Sequence, residues 1–226
     1  MTRLAVAALA LIILFGSSAL AQDSASKVEV FGGYSLLRAD NGGLTGPILD
    51  SALRQPSGTF QVPSSVNGWT GAVQINVRRG LGVVVDVAKH WGSALTSPNI
   101  NLSELPNSND YSLLFGPVFS YKVGRITPFV HGLAGLDRSH LGAGSVPGLF
   151  GRSAAVTDRA LAFAVGGGID YKVSPHFSLR LAQADFFYTG HDLKAIYGAS
   201  YTPDLLPNLA SHENNLRFGA GIVIKF

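Results

Sequence analysis

The sequence has no cysteine at all. A disulfide framework, a thiolate metal site and lipid attachment through a cysteine are therefore excluded. Charge is scarce too, at 14% Asp, Glu, Lys and Arg, and it nearly cancels to a formal net charge of +3. Such a balance gives no ground for a nucleic acid or a polyanion as partner. Long hydrophobic runs are also missing. Hydrophobic residues make up 46% of the chain, yet beyond the N-terminal segment no stretch reaches the ~18 consecutive apolar residues of a helical membrane span. The apolar residues are instead dispersed at alternate positions, and glycine is abundant at 27 residues.

The one apolar run is N-terminal. Arg3 precedes an apolar stretch from Leu4 to Phe15, and Ala19-Leu20-Ala21 has the small-x-small form of a cleavage site. Residues 1–21 therefore read as a secretory signal peptide cut before Gln22, leaving one domain over 22–226. Without Arg3 the Lys+Arg count falls from 17 to 16, against 14 Asp+Glu.

Alternation of period two marks strands with two different faces. Eight such segments are present: "KVEVFGGYSLLR" (27–38), "GWTGAVQINVRR" (68–79), "GVVVDVAKHW" (82–91), "DYSLLFGPVFSYKV" (110–123), "ITPFVHGLAGLDR" (126–138), "RALAFAVGGGIDYKV" (159–173), "FSLRLAQADFFYT" (177–189) and "NNLRFGAGIVIKF" (214–226). The connections "RGLG", "VGR" and "VSPH" are tight, whereas those over 39–67, 92–109, 139–158 and 190–213 are long. Short turns on one side and long loops on the other, with strands at or beyond the ~9–11 residues that cross hydrocarbon, describe a transmembrane barrel. Only a closed sheet satisfies every backbone group in lipid, so the last strand must pair with the first.

In such a barrel the apolar parity faces outward. Tyr34, Trp69, Trp91 and Tyr111 then fall toward the long-loop rim, and Tyr121, Tyr171 and Phe226 toward the short-turn rim, where aromatic belts gather. The inward parity holds charges of both signs. An eight-stranded barrel has room only for side chains, and buried charges must pair. A lumen ion-pair network of Glu29, Arg78, Asp86, Asp170, Arg180 and Arg217 is expected. The seventh strand breaks parity between Arg180 and Asp185; a bulge near Ala182 to Ala184 would turn both inward.

With these hairpins and the closing "RFGAGIVIKF", the chain resembles the small outer-membrane β-barrels, the eight-stranded family typified by the transmembrane domain of outer membrane protein A. The resemblance implies an all-β, antiparallel, up-and-down barrel in the bacterial outer membrane, in contact with outer-membrane lipid. It also implies that the alternating C-terminus, Phe218, Ala220, Ile222, Ile224 and Phe226, is read by the barrel-assembly machinery.

Evidence for chemistry is thin. "SPHFS" offers His176 and Ser178 at the spacing of a lipid-hydrolase pair, but at a short turn away from the outer leaflet and without an orienting carboxylate. His90, His131, His140, His191 and His212 share no tight ligand spacing, so no metal site is expected, and the glycine runs lack the strand-to-helix setting of a phosphate loop. No catalytic residue and no cofactor is expected. The reading is a structural or interaction barrel, at most a minor pore, whose long loops recognise an extracellular ligand. The alternatives are a soluble lipocalin-like barrel with a lipophilic ligand inside, or an outer-membrane lipid hydrolase.

Overall fold

An apolar side chain at every second position asks for a sheet whose two faces meet different surroundings. The structure, a computed structural model, describes residues 27–38, 64–78, 80–93, 107–141, 156–191 and 212–226. The expected signal peptide and most of the four long connections lie outside these residues. The strands are β1 (Val28–Arg38), β2 (Ser65–Arg78), β3 (Leu81–Ser93), β4 (Asn107–Ser120), β5 (Ile126–Leu141), β6 (Val156–Lys172), β7 (Phe177–Thr189) and β8 (Glu213–Lys225). Each pairs antiparallel with the next, and β8 pairs with β1 to close the barrel. No helix among the described residues is long and apolar enough to cross a membrane; the crossing is made by strands.

The strands outrun the alternation at the long-loop end, where β2 begins at Ser65 rather than Gly68 and β6 at Val156 rather than Arg159. Hydrophobic alternation lasts only as long as one face meets lipid. Beyond it both faces are wet, and the ladder continues without a periodic signal.

Parity sorts the side chains as the sequence implies. On β3, Val83, Val85 and Val87 are exposed while Val84, Asp86, Ala88 and His90 are buried. The apolar parity is outward, the reverse of a soluble carrier barrel. Inside, Leu37, Val84, Leu114, Val118, Phe129 and Leu133 belong to one apolar cluster beside the polar groups.

The seam runs from Glu29↔Lys225 to Arg38↔Leu216, and the Phe226 N–H donates to the Val28 carbonyl at 2.9 Å. Gly33 and Gly221 face each other there. A Cβ on Gly33 would strike the Ala220 carbonyl, and one on Gly221 the Gly32 carbonyl, so the close approach of the two strands requires glycine. At the tight turns, Gly80 and Gly124 hold φ of 77° and 61°, values natural to glycine.

Strand β7 carries the bulge. Ile169 pairs with Ala182 and Asp170 with Arg180, so Leu181 is left over, and the register against β8 jumps between Arg180 and Gln183. Leu181 and Ala182 both face out. The extra residue lies just before the expected window, and Arg180 and Asp185 both point inward.

Candidate functional site

The lumen is built from side chains that alternation forces inward. Arg217 on β8 sits at its centre, 1% exposed. Its Nη1 donates to Asp86 Oδ1 across the barrel at 2.7 Å, and its Nε and Nη2 donate to Asp185 Oδ2 at 3.0 and 2.8 Å. Asp86 also accepts from the Thr70 hydroxyl at 3.1 Å, and Asp185 lies 2.9 Å from His131 Nε2. Gln183 connects this group to a second. Its amide donates to Asp185 at 2.8 Å while its carbonyl accepts from Arg180 Nη1 at 2.8 Å. Arg180 in turn clasps Asp170 with two bonds, 2.8 and 3.2 Å. Its guanidinium lies between Phe31 and Phe129, 4.2 Å from each ring, a stacking that an arginine's flat, weakly hydrated head favours.

Thus Asp86, Asp170, Arg180 and Arg217 belong to one connected set. Glu29 stands apart, near the short-turn end, 3.8 Å from Lys225 and accepting from Asn76 at 3.2 Å. Arg78 is not brought to the others. The β2–β3 register shifts between Asn76 and Arg78, and the Arg78 side chain is exposed. A cavity bordered by Glu29, Phe31, Asp86, His131, Arg180 and Gln183 has a volume of about 10 Å³, room for a single water.

A second cluster caps the lumen at the long-loop end. His191 lies just past β7 and is 3% exposed. Its Nδ1 is 2.8 Å from Asp158 and its Nε2 2.9 Å from Asp137, tying the start of the last long connection to β5 and β6. Burial pushes the imidazolium pKa down, but the bonds to Asp137 and Asp158 and the nearby charge of Glu213 outweigh it, and it rises to about 9. Because this folded value exceeds the ordinary 6.5, the stabilisation is fully present below pH 6.5 and is lost as pH rises through about 9. His191→Ala is expected to cost about 1–3 kcal/mol at low pH by leaving Asp137 buried and unsatisfied. Urea unfolding of the reconstituted protein below and above that window checks it; a variant with the wild-type pH profile would rule the bridge out.

At the rims Tyr34, Trp69, Trp91, Tyr111 and Tyr121 are exposed and Tyr171 is half-buried. The residues Phe218, Ala220, Ile222, Ile224 and Phe226 also face outward. His176 is exposed, and the buried Ser178 hydroxyl has no hydrogen-bond partner, so the two form no nucleophile–base pair. Among the described residues no group of three His, Asp or Glu side chains is placed to hold a metal.

A closed antiparallel barrel with lipid-type residues outside and charges inside defines an integral membrane β-barrel. The chain belongs to the outer membrane protein beta-barrel domain family, whose sequence model matches residues 7–222, and it resides in the bacterial outer membrane. Two solved structures share the fold. Ail, the attachment invasion locus protein of Yersinia pestis, solved with the heparin analogue sucrose octasulfate, is 17% identical, with 88% of this chain and 99% of that one covered and a TM-score of 0.51. Neisserial surface protein A is 15% identical, with 90% and 100% covered and a TM-score of 0.54. No curated protein sequence matches the chain.

Proposed function

We propose that the protein is a non-conducting, non-enzymatic outer-membrane scaffold that supports the envelope and presents its long loops for recognition. The connected set around Arg217 carries this reading. Buried ion pairs cross the lumen, and the cavity beside them has a volume of only about 10 Å³, which supports a lumen closed to hydrated ions among the described residues. The expected result in planar bilayers is a quiet baseline after insertion of the folded protein. Sustained single-channel steps would overturn the reading.

Biogenesis belongs to the same reading. The C-terminal row from Phe218 to Phe226 serves as the segment that the assembly machinery engages, because an outward aromatic on a still-unpaired strand is accessible before the seam closes. Phe226→Ala is expected to lower the folded amount in the outer membrane several-fold in cells while leaving refolding into detergent unchanged. Equal loss in both settings would assign Phe226 to stability instead.

A further inference from the structure

The described carboxylates all avoid the lipid. None of the eight Asp and Glu residues in the described segments is exposed, and each lies on the inward parity. Toward the long-loop rim the outward face carries cations instead. Arg138 and Arg159 are exposed and directly opposite each other on β5 and β6. Tyr111 is the cross-strand neighbour of Arg138 on the other side, and Lys89 that of Tyr111. The Lys89 ammonium is held 4.9 Å from the Tyr111 ring and 6.0 Å from the Trp91 ring.

Like charges directly opposite in a sheet repel, and among the described residues neither arginine has an acidic partner. An anion from outside would remove that cost. The row beneath shows what kind. Leu113, Leu136 and Leu161 lie two residues further into the membrane on β4, β5 and β6, Leu136 is the cross-strand neighbour of both others, and all three are exposed. A cationic row above a leucine row fits an amphipathic ligand with a negative head and acyl chains. The long loops do not draw a soluble polyanion, since their sequences hold Asp40, Asp50, Glu104, Asp192 and Asp204 against Arg54, Arg152 and Lys194.

We propose that Lys89, Arg138 and Arg159 form a binding site for the phosphate-bearing headgroup of an outer-leaflet lipid, with its acyl chains against Leu113, Leu136 and Leu161. Two guanidinium groups side by side can each give charge-assisted bonds to phosphate oxygens.

Native mass spectrometry of the folded full chain, released from micelles doped with bisphosphorylated lipid A or with its dephosphorylated form, tests this. The phosphorylated lipid is expected to be retained about tenfold better or more, as two charge-assisted hydrogen bonds imply. The double variant Arg138→Ala/Arg159→Ala should lose that preference, and Arg138→Lys/Arg159→Lys should keep most of it. The alanine variant should also be at least as stable as the wild type in phosphate-free detergent, because the like-charge contact is gone. Heat-modifiable gel mobility confirms folding of each variant, and the single changes Arg138→Gln and Arg159→Gln provide the same comparison if the double variant does not refold. Equal retention of the two lipids, or an undiminished preference in the alanine variant, would overturn the site. Inorganic phosphate binding as tightly as the lipid would assign the patch to a soluble anion and overturn it too.

Discussion

Arg217→Met is expected to lower the unfolding free energy by about 3–5 kcal/mol, the range for removing one partner of a buried ion pair. The cost comes less from the attraction lost than from what remains. Asp86 and Asp185 would stay buried, 2% and 1% exposed, without their shared cation. Thr70, His131 and Gln183 already bond to them and cannot supply a second guanidinium. Two aspartates facing an empty place would also repel. Adding Asp86→Asn and Asp185→Asn to Arg217→Met should recover much of the loss, since neutral amides carry a far smaller desolvation penalty. Urea unfolding of vesicle-reconstituted protein measures both variants. If Arg217→Met alone cost no more than the ~0.5 kcal/mol of an ordinary surface change, water would be screening these pairs and the lumen would be wet.

Alternation made the inward face legible, and with it the side of the wall on which Asp86, Asp170, Arg180 and Arg217 lie. It could not say which of them pair. Arg217 and Asp86 are 131 residues apart, and their meeting depends on how the sheet curls across the lumen, which no local pattern encodes. Arg78 shows the limit from the other side. Its parity matches Asn76, but the register shift at the β2–β3 turn carries it to solvent. Gln183, the link between the two arginines, needed the bulge to be placed to the residue. His191 lies past the end of β7, where there is no alternation to read, and only its two aspartate partners on other strands reveal its role. The long-loop ends of β2, β4, β5 and β6 were hidden because both their faces are wet. The lumen phenylalanines Phe31 and Phe129 were hidden because an apolar residue on the inward parity looks like any other.

The bulge also separates two deletions that look equivalent in the sequence. Removing Ala182 should cost about 1 kcal/mol, no more than a typical single change. Leu181 and Ala182 both face lipid, and with one gone Arg180, Leu181 and Gln183 alternate regularly while Arg180 and Asp185 keep their inward direction. Removing Val165 from the neighbouring strand β6 should abolish refolding. A strand without a spare residue must turn one of its halves over. If the C-terminal half turns, Asp170 leaves the lumen and Arg180 is stranded there, at a cost of about 3–5 kcal/mol. If the N-terminal half turns, Leu161 and Phe163 must enter slots now filled by Ala160, Ala162 and Ala164, which are 7%, 0% and 0% exposed. Each large side chain forced into such a slot costs about 1–3 kcal/mol, and Asp158 loses His191 as well. Heat-modifiable mobility after refolding into micelles reads both deletions in one gel. A Val165 deletion that still folds would mean that β6 can slide in register against β5 and β7, and that the inward charges do not hold the register of the barrel.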